Sequence, residues 1–241
     1  MKAFMTILKI KTKMDFRSSD ILITNYLVPI LFFLVMGAVF TSIMPETKNT
    51  LIASMIVFST TMGATIGVSA SVNELFTQDI RKTLVVSKVS FLKLIFSSIL
   101  SGIFHLLIVS TIIILVAPIL FDATSISNVF IFYGRIIIST FTIVLVGVII
   151  GLLSKNTAQL TILAQLIFLP SMMLSGIMFD ASLLPAILKN VGKLLPATQS
   201  FLLLTSSDTY IASYGPLLIM ALVFILLIAV LLQRLKTLER Q

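Results

Sequence analysis

Residues 129–153 read VFIFYGRIIISTFTIVLVGVIIGLL, 25 residues in which Arg135 is the one charged side chain. A helix rises about 1.5 Å per residue, so this run extends roughly 37 Å, more than the ~30 Å hydrocarbon core of a bilayer. Backbone amides in hydrocarbon find no water, and only a helix satisfies them within one segment. The stretch therefore predicts a membrane-crossing helix, and a lone helix of this kind is not a fold.

On either side of it, five further apolar runs of similar character appear: 21–44, 51–72, 91–118, 160–178 and 216–232. With 129–153 they predict six spans. Of all 241 residues, 58% are hydrophobic and 11% charged, and mean hydropathy is +1.16. The expected fold is all-α and integral to the membrane. It forms a single transmembrane domain over residues 1–241 with little room for an aqueous domain.

The same composition removes much chemistry. The absence of Cys excludes disulfides, thiolate metal sites and thiol nucleophiles. The chain lacks both the G-x-x-x-x-G-K-[ST] phosphate loop and H-E-x-x-H, and no two spans carry a carboxylate at mid-depth. No catalytic residue, no metal and no cofactor of its own is expected. The net charge of +8 sits beside apolar runs, which fits anionic membrane lipid as a partner and not nucleic acid.

Charge placement also sets orientation. With the N-terminus inside, Lys2, Lys9, Lys11, Lys13, Arg17, Arg81, Lys82, Lys88, Lys93, Lys155, Arg234, Lys236 and Arg240 all face the cytoplasm. Lys48, Lys189 and Lys193 face outward. The positive-inside rule thus puts both termini in the cytoplasm, with the chain multi-pass in the cell membrane and no cleavable signal peptide. Residues 179–210 are apolar but interrupted by Asp180, Pro185, Lys189, Gly192, Lys193 and Pro196. Crossing here would put the basic tail outside. Parity favours two short helices that enter the outer leaflet and return, against a plain external loop.

Residues 1–19 suit a helix lying on the inner membrane surface, with Ala3, Phe4, Ile7, Ile10 and Met14 apolar and Lys2, Lys9, Lys13 and Arg17 opposite. Lys11 and Asp15 break the apolar edge but stand four apart, where they can pair. In span two, Ser59, Gly63, Gly67 and Ser71 recur every four residues, a small face for close helix approach that Gly147 and Gly151 repeat in span four. Thr61 and Thr65 either line a pathway or bond their own backbone. Gln159 and Gln165 mark either a cavity wall or a plain helix contact, and Pro170 should kink or loosen span five. Arg135 is expected to snorkel outward toward Asp122, with a cargo-contacting role as the sharper alternative. His105 reads as a helix-packing imidazole.

Three stretches in this order resemble the membrane subunit of a type-2 ABC exporter, a likeness that covers nearly the whole chain. They are NELFTQDIRKTLVVSKVSFLKLIFSSIL from residue 73, GLLSKNTAQLTILAQLIFLPSMMLSGIMF from residue 151, and SLLPAILKNVGKLLPATQSFLLL from residue 182. The first departs from the family phrase, because Val86 to Ser90 replaces its proline. The resemblance implies that residues 73–90 form a coupling helix docking on a separate ABC ATPase dimer through Glu74, Asp79, Arg81, Lys82 and Lys88. Lys155 and Asn156 would lie near the same partner, and residues 1–19 would be the connecting helix. ATP and magnesium would act on that partner alone. Two permease copies, identical or related, would enclose a pathway bordered by Thr61, Thr65, Gln159, Gln165 and Met172, with Gly176, Pro185 and Pro196 shaping the external re-entrant turn. The apolar, hydroxylic and amide lining suits an amphiphilic cargo: a drug, a membrane-active or antimicrobial peptide, or a lipid-like molecule. A lipid-linked glycan and a non-transporting immunity or assembly factor are the alternatives. The Cys- and Trp-free, Ile- and Lys-rich text is compatible with a low-GC bacterium.

Overall fold

Each apolar run closes its own hydrogen bonds as a helix. The computed structural model describes residues 2–75, 91–178, 180–206 and 211–238. An N-terminal helix, α1 (Lys2–Asp15), precedes α2 (Ser19–Ile43), α3 (Leu51–Glu74), α4 (Phe91–Phe121), α5 (Val129–Leu153) and α6 (Thr157–Leu174). Two short helices follow, α7 (Ala186–Gly192) and α8 (Pro196–Thr205), and then α9 (Gly215–Leu238). Among the described residues, α2, α3, α4, α5, α6 and α9 are long and apolar enough to cross a membrane.

The helix ends follow local chemistry. Asn156 caps α6 by accepting the Gln159 N–H at 2.8 Å, which starts the helix at Thr157 and not at Leu160. Gly176, with φ of +85°, turns the chain just past Leu174 in a conformation open to glycine. Pro170 lies inside α6, yet the helix runs on through it. Its missing N–H falls on an exposed side of the helix.

Burial separates centre from periphery. The most apolar window of α3 is 89% buried and that of α5 is 72%, against 22% for α2 and α6 and 11% for α9. Small residues allow this centre. A Cβ at Gly147 would collide with the Ala64 carbonyl oxygen, and one at Gly151 would sit 2.6 Å from that of Ser69. Gly63 and Gly67 open the other side of α3 to Leu106 of α4 and Asn25 of α2. Both α2 and α3 widen into π-helical turns at this crossing, over Ile23–Leu27 and Gly63–Val68. Each such turn inserts a residue and rotates the helix face beyond it.

The ends remote from α1 are tied by polar contacts. Lys48 Nζ lies 3.4 Å from Asp122 Oδ2, and the Thr124 hydroxyl donates to Asn49 Oδ1 at 2.7 Å. The contact expected between Arg135 and Asp122 does not form. Arg135 is turned into the protein, 6% exposed, and its Nη1 donates to the Ser206 carbonyl at 2.6 Å. A guanidinium with a carbonyl in reach at its own depth has no need to stretch toward headgroups. Within residues 180–206, α7 lies beside α6 and α8 packs on α5 and α3.

Candidate functional site

At the end of the bundle where α3 stops, Asn73 is buried and its Nδ2 donates to two carbonyls, Ser154 at 2.6 Å and Gly151 at 3.3 Å. These carbonyls close the last turn of α5, where the helix has run out of intrahelical donors. The turn that follows is held from within. The Lys155 N–H donates to Gln159 Oε1 at 3.0 Å, while Asn156 caps α6. One side chain thereby fastens the end of α3 to the α5–α6 turn. Glu74, Lys155 and Asn156 are exposed at this shared end, although about eighty residues separate them in sequence. Asp79, Arg81, Lys82 and Lys88 lie outside the described residues.

The residues expected along a pathway are placed separately. Thr61 and Thr65 are buried, and their hydroxyls donate to the Val57 and Thr61 carbonyls of the same helix at 2.7 Å each. Met172 lies in an apolar cluster with Phe33, Met55 and Ile136. Gln159 closes the Lys155 turn. Gln165 stands exposed on α6 among Ile162, Leu166 and Leu169. Among the described residues, no cavity collects the five side chains. Of the turn-shaping residues, Gly176 ends α6, Pro185 precedes α7, and Pro196 begins α8, where its missing N–H is one the helix would leave unpaired anyway.

A polar cluster where α1 meets α2 and α4 was not anticipated from sequence. Lys11 Nζ pairs with Asp15 Oδ1 at 2.8 Å, as the i, i+4 spacing predicts. The pair does not sit at the edge of an apolar stripe. Asp15 is buried, and its Oδ2 accepts from the Ser101 hydroxyl at 2.6 Å and lies 3.9 Å from His105 Nε2. His105 Nδ1 in turn meets Tyr26 Oη at 2.6 Å, and Phe16 packs its ring edge-on against the imidazole at 4.6 Å. The inward face of α1 is therefore Phe4, Ile7, Leu8, Lys11, Thr12 and Asp15, which keeps Phe4 and Ile7 of the expected stripe, while Ile10 and Met14 point away, 54% and 61% exposed. Beside the cluster, Asn25 Oδ1, Ser71 Oγ and Ser98 Oγ are buried around a small polar cavity, with no hydrogen-bond partner among the described residues. The i, i+4 spacing of Lys11 and Asp15 was the one signal in the sequence. Their partners in α4 lie some ninety residues away and left no trace in it.

No curated protein matches the chain. A family model described as ABC-2 type transporter matches residues 2–208.

Proposed function

The chain belongs to the ABC-2 type transporter family, and we propose that it is the permease of an exporter that moves an amphiphilic molecule out of the cell. Membership makes it the multi-pass membrane component of an ABC-type transporter, with an ABC ATPase as its kind of partner. The observation that carries the reading is the Asn73 clamp. A partner that presses on the end of α3 at Glu74 and on the Lys155 turn acts on two segments already joined by hydrogen bonds. Force on either is shared by α3, α5 and α6, and α3 and α5 are the two most buried spans.

In this reading both termini are cytoplasmic, α1 lies along the inner face of the plasma membrane as the connecting helix, and α7 and α8 re-enter the outer leaflet. Two copies, identical or related, close the pathway. The exposed face of α6 supports this, because Gln165 projects from an apolar surface and an amide in hydrocarbon seeks a partner helix or a wet cavity. Thr61, Thr65, Gln159, Gln165 and Met172 are proposed to border the pathway, and their hydroxyl, amide and thioether groups suit an amphiphile. ATP with magnesium acts on the partner. Nucleotide shifts the bundle between inward-open and outward-open states by as much as the partner's affinity differs between them.

The test is reconstitution of the permease and its ATPase in vesicles, with a dye-labelled amphiphile as cargo. Asn73→Leu removes two hydrogen bonds worth about 0.5–1.5 kcal/mol each. It and Glu74→Ala should lower cargo moved per ATP roughly tenfold while ATP hydrolysis continues. Wild-type transport per ATP in both variants would refute the coupling role.

A further inference from the structure

At the end of the bundle remote from α1, the Pro45–Asn49 turn, the end of α6 and the face of α8 enclose a cavity of about 550 Å³. That lies within the ~300–1,000 Å³ range of small-molecule sites. Its wall is mostly apolar, with Phe40, Leu51 and Phe201 presenting their side chains. Gly176 forms part of the floor, where a Cβ would press to 3.3 Å from the Phe201 ring at a φ of +85°. Two features distinguish this space from ordinary loose packing. Thr198 lines it, is 6% exposed, and its Oγ1 has no hydrogen-bond partner among the described residues. Burying a hydroxyl in that state is costly unless something else completes it. The mouth carries both signs of charge: Glu46 and Asp180 on one hand, and Lys189 and Lys193, one helical turn apart, on the other, all exposed.

We propose that this cavity binds a single-chain zwitterionic amphiphile of the lysophospholipid type. The chain lies along the apolar wall, Thr198 donates to the ester carbonyl, and the headgroup sits at the mouth. There its phosphodiester faces Lys189 and Lys193, and its ammonium faces Glu46 and Asp180. A headgroup of one sign would be repelled by one pair of charges, whereas a zwitterion meets an opposite charge at both. The space holds one chain and not two. The site is separate from the coupling and pathway residues and does not depend on their assignment.

The experiment is equilibrium binding of radiolabelled palmitoyl-lysophosphatidylcholine to the full chain in maltoside micelles. Competitors are palmitate, hexadecyltrimethylammonium and phosphocholine without a chain. The lysolipid should compete best, each singly charged amphiphile about tenfold less well, and phosphocholine alone not at all. Ala181→Phe, which fills the partly exposed wall, should weaken binding at least tenfold, and Thr198→Val about threefold to tenfold. The double change Lys189→Glu with Lys193→Glu touches only exposed side chains and keeps the fold. It should reverse the preference, so that the cationic amphiphile competes best. Phe130→Ala on α5, where the ring is 91% exposed, should leave binding unchanged. Three results would overturn the proposal: unaltered affinity in Ala181→Phe, unaltered competitor order in the double variant, or equal loss in Phe130→Ala.

Discussion

Gly134 and Gly147 lie on the same helix, α5, and make a matched pair for testing how the centre of the bundle is packed. A Cβ at Gly134 meets nothing within 4 Å, so Gly134→Ala adds a methyl group in open space. It should stabilise the helix by about 0.5–1 kcal/mol, because alanine has less backbone freedom to lose. At Gly147 the added Cβ collides with the Ala64 carbonyl oxygen and lies 2.8 Å from its carbon. Backbone has no alternative rotamer, so α3 and α5 must separate. Overpacking costs about 1–3 kcal/mol, and subtracting the same helix gain leaves a net loss of up to about 2.5 kcal/mol. The two variants should therefore differ by roughly 2 kcal/mol, about a thirtyfold change in the unfolding equilibrium. Equilibrium unfolding in mixed micelles of dodecyl maltoside and dodecyl sulfate, followed by far-ultraviolet circular dichroism, measures that gap. Were Gly147→Ala as stable as Gly134→Ala, the close backbone approach of α3 and α5 would be wrong, and with it the reason for a glycine at that position.

Asp15→Ala should destabilise the protein by about 3 kcal/mol in the same assay, because it strands the Lys11 charge in a largely buried site. Joint replacement by Lys11→Met and Asp15→Leu should recover at least half of that loss, and a double variant no better than the single would refute an ion-pair origin. The Ser182 backbone N–H, 2.8 Å from Asp180 Oδ1, holds the Asp180 carboxyl below the usual carboxylate range, with the Ser182 hydroxyl adding to the effect. A depressed carboxyl pKa stabilises the Ala181–Leu183 turn above the usual carboxylate range, and that support is lost as pH falls through the depressed value. Ser182→Pro should return the Asp180 midpoint to the ordinary range in a carbon-13 carboxyl titration, and an unmoved midpoint would remove the N–H as its cause. A topology reporter fused after residue 207 should read as external and one fused after residue 236 as cytoplasmic. Matching signals at both would overturn the proposed return of α7 and α8 to the side they entered from.

Six membrane-crossing helices were legible in the sequence because apolar length is a local property and hydrocarbon permits one backbone solution. The boundaries moved by a few residues where caps decided them, as Asn156 did for α6. The small residues at 63, 67, 147 and 151 were recognisable as sites of close approach from their spacing of four. Which helix approaches which was not, since spacing on one helix carries no information about its partner. The same gap explains Arg135, whose expected reach toward Asp122 gave way to the Ser206 carbonyl seventy-one residues on.

What the sequence determined alone was the helical membrane architecture and, through its ordered phrases, the transporter family. Both depend on neighbouring residues in one dimension. The Asn73 clamp on the α5–α6 turn, the burial of Asp15 against Ser101 and His105, and the charged mouth beside Thr198 were decided only by tertiary structure. Each joins groups from segments far apart in sequence whose relative placement is set by packing, and the π-turns in α2 and α3 shift helix rotation by an amount no residue pattern announces.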